Sequence, residues 1–276
     1  MTLEAVLGKA RGLVPREGWL TLRRYLREKA MGVDFDGIVP FFPGKSCIER
    51  QHIMRYRFAA RYIQATSRLL DVACGGGYGS HFLAGMAQAG TVFALDHCPR
   101  ALAYAQAHYY RPNIKFCLGN ALALPFPTGF FDMVVSFETI EHLPDGRRFL
   151  GEVRRVLKPG GFFVCSTPNA AHSFHQDYHL KEYYPEEFFA LVEEAFPWVE
   201  RYCQTQDGFS RYREFLWRGY CLARNVAGQT VLGKGEPTPY YIRGTEHYPE
   251  EEVRPAAAVT PQETSIMIAV ASTLPF

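Results

Sequence analysis

The stretch Leu69–Leu83, "LLDVACGGGYGSHFL", decides how the rest of the chain is read. An apolar run carrying one acid, Asp71, leads into three consecutive glycines, Gly75 to Gly77, and Gly79 follows two residues later. So bare a backbone suits the turn from a first strand into a helix. In doubly wound sheets a ligand sits at that turn, beyond the carboxyl ends of the strands. Glycine there lets the backbone approach the ligand and lets the helix pack closely.

Working outward, short apolar runs alternate with helical stretches. The runs are "LLDVA", "TVFALD", "IKFCLG", "FDMVVSF" and "GFFVCST"; between them lie "SHFLAGMAQAG", "PRALAYAQAHYY" and "GRRFLGEVRRVLKPGG". Strand runs without polar alternation are buried on both faces, which predicts a parallel sheet between layers of helices. Pro185, Glu186 and Glu187 open a further helix, and "WVERYCQTQ" and "SIMIAVAST" read as two closing strands. Before the sheet, "EGWLTLRRYLREKAM" aligns Trp19, Leu22 and Leu26 on one helical face. Ser46 and Glu49 form a capping box for the helix "ERQHIMRYRFAARYI". The expected layout is a helical lid over residues 1–47 and one catalytic domain over 48–276, with an insertion rich in Gly, Pro, Arg and Tyr at about 207–262.

Bulk properties narrow the class. The 276 residues carry 30 Lys and Arg against 28 Asp and Glu, a formal charge of +2, which gives no reason to expect a nucleic-acid partner. No apolar run reaches the ~20 residues needed to span a bilayer, and "MTLEAVLGKARGLVPREG" lacks the features of a secretory signal. The seven cysteines form no CxxC pair, the usage of a reduced cytoplasmic protein. "TLRRYLREKA" could lie on a membrane surface, but its basic residues read better as a solvated face.

The glycine loop is not a nicotinamide fingerprint, because Ser80 stands where GxGxxG would have its third glycine. No Walker lysine follows. Asp96 ends the second run, the place for a carboxylate that holds both hydroxyls of a ribose.

Four segments, in order and spacing, resemble the class I S-adenosylmethionine-dependent methyltransferases, the broad group that includes ubiquinone and menaquinone methyltransferases and small-molecule O-methyltransferases. They are "LLDVACGGGYG", with Ala73 where glycine is commoner, "ALD" at 94–96, "GNALALPFPTGFFDMVVSFETIEHLPD" and "EVRRVLKPGGFFVCSTPN". The similarity covers roughly residues 48–207. Flanking segments are similar to methyltransferases of glycan and secondary-metabolite pathways. The resemblance implies an α/β Rossmann-like fold whose seven-stranded, mostly parallel sheet has its last strand antiparallel. It implies S-adenosyl-L-methionine as cofactor, held by Tyr56, Asp71, Ala73, Gly75, Gly77, Asp96, His97, Asn120, Ala121 and Phe137. In that set Asp96 clamps the ribose, with His97 beside it. Asn120 and the Ala121 amide meet the adenine, and carbonyls near Ala73 and Phe137 take the ammonium. Tyr56 and Arg55 close over the methionine carboxylate.

Methylating an alcohol needs a base, and histidine is the usual one at neutral pH. His142, in "ETIEHLPD", lies where the resemblance puts acceptor-facing residues; related sugar O-methyltransferases pair such a histidine with an acid where this chain has Thr167. His179 is the reserve base. Neighbouring Glu141 is expected to point away from His142. His172, His175, Asp177 and His179 could ligate a metal, but no histidine pair has i, i+4 spacing within a convincing helix, and the run reads instead as a substrate loop, with no metal. The expected partner is a small-molecule or sugar acceptor, with a homodimer possible. Methylation at carbon or nitrogen of an aromatic acceptor, and a non-catalytic cofactor-binding scaffold, are the competing readings.

Overall fold

The computed structural model of the chain describes residues 47–64, 66–86, 90–171, 179–205, 253–258 and 264–275. Among these residues eight strands make one sheet: β1 (Arg68–Val72), β2 (Thr91–Asp96), β3 (Ile114–Leu118), β4 (Phe131–Phe137), β5 (Leu157–Pro168), β6 (Trp198–Thr205), β7 (Val253–Pro255) and β8 (Thr264–Ser272). Their order is β3-β2-β1-β4-β5-β8-β6-β7. The neighbours from β3 through β5 pair in parallel, and β8 runs antiparallel to both β5 and β6. The seven expected strands and the antiparallel last one are present. The addition is β7, a three-residue edge strand on β6 within residues read from sequence as insertion.

Among the described residues five α-helices cover the sheet: α1 (Cys47–Ala59), α2 (Tyr78–Met86), α3 (Pro99–His108), α4 (Gly146–Val156) and α5 (Pro185–Ala195). The parity of the buried strands creates two cores, because successive side chains leave a strand on opposite faces. Leu70, Val72, Val134 and Phe163 pack with Phe149, Val153, Phe188 and Val192 of α4 and α5. Leu69, Val92, Met133, Val135 and Val164 pack with Phe58, Ala59, Leu83 and Leu102 of α1, α2 and α3. Local chemistry sets the helix starts. Pro99 and Pro185 occupy first-turn positions, where no amide hydrogen is needed. Asp145 caps α4 by accepting from the Arg148 amide at 2.9 Å, and Glu187 reaches back to the Tyr184 amide at 3.2 Å.

One boundary differs from the reading of the sequence. "LKPGG" belongs to β5, not to the preceding helix. Phe131 pairs with Leu157, and the register then jumps so that Met133 pairs with Phe162. Gly160 (φ +73°) and Gly161, which lies against the Asp132 carbonyl, absorb that irregularity. Asp132 secures this end of the sheet by accepting from the Arg68 amide at 2.8 Å and from the Lys158 ammonium. The expected lid, the helix containing Trp19 and the cap residue Ser46 lie outside the described residues. Among the described residues no helix is long and apolar enough to cross a membrane, and Cys74, Cys98, Cys117, Cys165 and Cys203 are free thiols.

Two glycines separate the effect of backbone conformation from that of close packing. Gly77 has φ +82°, and a Cβ there would lie 2.5 Å from the Ala105 Cβ; Gly129 has φ +64° and open space around it. Gly129→Ala is expected to cost only the left-handed penalty, ~1–2 kcal/mol. Gly77→Ala adds overpacking worth ~1–3 kcal/mol. Urea unfolding of the two variants checks this, and equal losses would show that conformation alone fixes Gly77.

Candidate active site

The turn after β1 is held open by three residues with positive φ: Ala73 (61°), Gly75 (52°) and Gly77 (82°). Ala73 is therefore an alanine in a glycine-type conformation, which explains physically why glycine suits this position better. The Asp96 carboxylate, buried at the end of β2, fixes the loop. It accepts from the Gly75 amide on Oδ2 and from the Cys98 amide on Oδ1, both at 2.8 Å. A carboxylate offers about four lone-pair sites, so two remain for a diol. His97 stands beside it, its side chain 86 % exposed and Nδ1 3.5 Å from Asp96 Oδ1.

Beyond β3, Asn120 is exposed and Ala121 buried. The Asn120 side-chain oxygen accepts from the Leu122 amide at 2.8 Å, so this residue builds the turn whatever else it does. Its amide group adds donors at the same edge.

Asp71 has the strand parity of Leu69, which sends it toward α1 and α2. It is buried, accepting from the Ser80 hydroxyl at 2.6 Å and from the Tyr56 hydroxyl at 3.3 and 3.4 Å. Burial pushes its carboxyl from 3.8 up to about 7; the bonds from Ser80 and Tyr56 oppose the rise, and the charge of Asp96 adds to it. Burial, and then the charge of Asp71, hold the Tyr56 phenol well above its ordinary value. The Tyr56 ring packs edge-on against Phe137, with centroids 4.8 Å apart. Tyr56 thus braces Asp71. Arg55 is fully buried and donates to the Gln204 side-chain oxygen at 2.7 Å, so it anchors α1 to β6.

At the carboxyl end of β4 the backbone is strained again: Glu138 has φ 52°. Its carboxylate accepts from the Ser166 hydroxyl at 2.7 Å and its amide donates to the Ser166 carbonyl at 3.1 Å. A single 3-10 turn, Ile140–His142, follows. Glu141 is buried and accepts from the Thr167 hydroxyl at 3.0 Å, so Thr167 binds the acid next to His142 and is not itself an acid. Burial, and then the Glu138 charge, raise the Glu141 carboxyl well above the usual range. The Leu180 and Lys181 amides donate to the Glu141 carbonyl at 2.8 and 3.1 Å. That pinning brings His179 to His142, with ring centroids 4.9 Å apart. His179 Nδ1 lies 3.2 Å from Glu182 Oε1.

The structure therefore brings together Tyr56, Asp71 and Phe137 as one wall, Gly75 and Asp96 as a second, and His142 with His179 as a third group. Glu141 does not point away from His142, since their ligand-type atoms fall within 4.8 Å of each other. His172, His175 and Asp177 lie outside the described residues. Reading the sequence missed Ser80, Glu182 and the Cys98 amide. Ser80 carried a signal, standing where a glycine was sought. Glu182, three residues after His179, also sits at a readable spacing.

The raised Asp71 carboxyl makes stability depend on pH. An acid whose folded value is raised stabilises the fold fully below its unfolded value, and that contribution fades as pH rises toward the folded value. Across the window from about 4 to about 7 the loss attributable to Asp71 is on the order of 4 kcal/mol. Asp71→Asn removes this dependence, so its stability profile in urea over that window is expected to be flatter than that of the native protein. Parallel profiles would show that Asp71 titrates normally.

Residues 70–165 match the family model described as a methyltransferase domain. A probable S-adenosylmethionine-dependent methyltransferase of Mycolicibacterium smegmatis is 40% identical over 120 residues, 44% of this chain and 44% of that protein. A probable phthiotriol/phenolphthiotriol dimycocerosates methyltransferase of Mycobacterium ulcerans is 36% identical over 117 residues, 42% of this chain and 45% of that one. The matched stretch spans less than half the length of these relatives. A candidate methyltransferase of Haloferax volcanii, solved in complex with the Trm112 methyltransferase activator, shares the fold with a TM-score of 0.55 at 19% identity, covering 83% of this chain and 92% of its own. Fold, glycine loop and family match agree: residues 70–165 carry a methyltransferase domain similar to those of S-adenosylmethionine-dependent methyltransferases.

Proposed function

We propose that the protein moves the methyl group of S-adenosylmethionine to an oxygen of a small molecule or sugar, with His142 as the proton acceptor and His179 beside it. In this reading Asp96, with His97 next to it, holds the ribose on the lone pairs that the Gly75 and Cys98 amides leave. Gly77 and the Ala73 and Phe137 carbonyls border the methionine part. Tyr56 keeps Asp71 in place toward the cationic donor, and Asn120 and Ala121 meet the adenine. The observation that carries the choice of oxygen is the meeting of His142 and His179 beside buried Glu141 at the carboxyl end of β4. A carboxylate acceptor would need no base, whereas a hydroxyl does. The name of the Mycobacterium ulcerans relative, which speaks of a triol, supports a hydroxyl acceptor.

The transfer is an in-line displacement in which positioning does most of the work. The acceptor O–H proton passes to the His142 imidazole and the oxygen forms the new C–O bond. The C–S bond breaks, and its electron pair stays on sulfur as a neutral thioether.

The test begins with labelled methyl donor, cell extract and mass identification of the product. At saturating cofactor, His142→Ala is expected to lower turnover ~10²–10⁴-fold with unchanged cofactor affinity, and His179→Ala less. Full turnover by His142→Ala would show that the acceptor ionises without this base. Cofactor binding with no transfer to any acceptor would favour the scaffold reading.

A further inference from the structure

We propose that Glu141, His142 and His179 bind one divalent first-row metal ion, with zinc the best fit. Their ligand atoms all lie within 4.8 Å of one another. The histidines come from separate segments 37 residues apart by their numbers, 142 and 179, joined by the Leu180 and Lys181 amides on the Glu141 carbonyl.

The carboxylate supplies the independent observation. Glu141 is 1 % exposed; Thr167 binds Oε2 at 3.0 Å, while Oε1 has no hydrogen-bond partner. A buried oxygen left unsatisfied is costly, and a cation bound to Oε1 removes that cost while the Thr167 hydroxyl holds the group in place. On the other side, Glu182 Oε1 lies 3.2 Å from His179 Nδ1. A carboxylate on one ring nitrogen orients the imidazole, raises its basicity and leaves the lone pair on Nε2, as metal-ligating histidines require.

Donor type selects the ion. Two imidazoles and one carboxylate suit zinc and its first-row neighbours, whereas magnesium and calcium prefer oxygen alone. With bonds of about 2.0–2.1 Å, tetrahedral ligands sit about 3.4 Å apart. The ligand atoms, within 4.8 Å of one another here, draw in to that spacing when the ion binds. Charge favours the ion as well. Glu138 adds negative charge at Glu141 and acts on it more strongly than the Arg55 guanidinium does, while Glu182 adds charge beside His179.

Three protein ligands leave a fourth position for an oxygen. The use of the site rests on the methyl-transfer reading. A coordinated hydroxyl releases its proton to solvent and its oxygen attacks the methyl carbon. The C–S bond breaks with its pair going to sulfur; His142 is thus the proton acceptor of the metal-free chain and a ligand once the ion is bound.

Binding is tested apart from turnover. The full chain, stripped with chelator and free of cofactor and acceptor, is titrated with zinc by calorimetry and with cobalt(II) by visible absorption. One equivalent should bind, with cobalt d–d bands of a low-coordinate site. His142→Ala and His179→Ala should each weaken zinc at least 100-fold, and Glu182→Gln ~10–100-fold. His81→Ala, a histidine on α2 set against the Tyr109 carbonyl, should change nothing. Circular dichroism confirms that each variant folds, and the native titration decides even if one does not. Failure of the native chain to bind one equivalent overturns the proposal. So does binding within threefold of native in both histidine variants, which would place the ion elsewhere. Turnover by a stripped chain that binds no ion would leave methyl transfer standing and remove the metal; a bound ion without methyl transfer would do the reverse.

Discussion

The Asp96 carboxylate ties two turns into one surface. By accepting from Gly75 and from Cys98 it joins the loop after β1 to the loop after β2 at the point where both helices begin. Neither loop could hold its amide in place alone, because each amide would otherwise turn toward water. The glycines make such an approach sterically open, and the carboxylate makes it specific. Close contact between Gly77 and Ala105 then sets α3 against the same loop. A single acid thus sets the shape of the surface where the two turns meet.

The carboxyl ends of β1 and β4 share a pattern. Each ends in a non-glycine residue with positive φ, Ala73 and Glu138, and each carries a buried acid, Asp71 and Glu141, held by a hydroxyl. Strained backbone and buried acids lower stability, and they cluster where a fold acts on a ligand. The opposite end of the sheet also holds a non-glycine residue with positive φ, Thr66 (67°), but its acid, Asp132, is partly exposed between the Arg68 amide and Lys158.

The sheet was legible because its strands are buried on both faces and so appear as unbroken apolar runs. The glycine loop and Asp96 were legible because backbone geometry dictates residue type there. The start of β5 was not, since "LKPGG" carries the residues of a turn and only its pairing with Phe131 makes it a strand. Long-range polar contacts were also hidden. Arg55 finds Gln204 149 positions away, and no local pattern announces such a bond. Glu141 looked like a helix-start acid, and only Thr167 and the 180–181 amides reveal it as the centre of a cluster. His142 was legible as a candidate through resemblance, while its company was a property of the folded chain.

The Tyr56 ring occupies the space above Gly79: a Cβ on that glycine would fall 1.9 Å from the ring. Positions 56 and 79 therefore share one volume, although they sit on different helices. A descendant of this chain that enlarges residue 79 must first shrink residue 56, and in doing so gives up the hydroxyl on Asp71. The two sites can drift only together, and the path between their alternatives passes through a protein with a loosened acid.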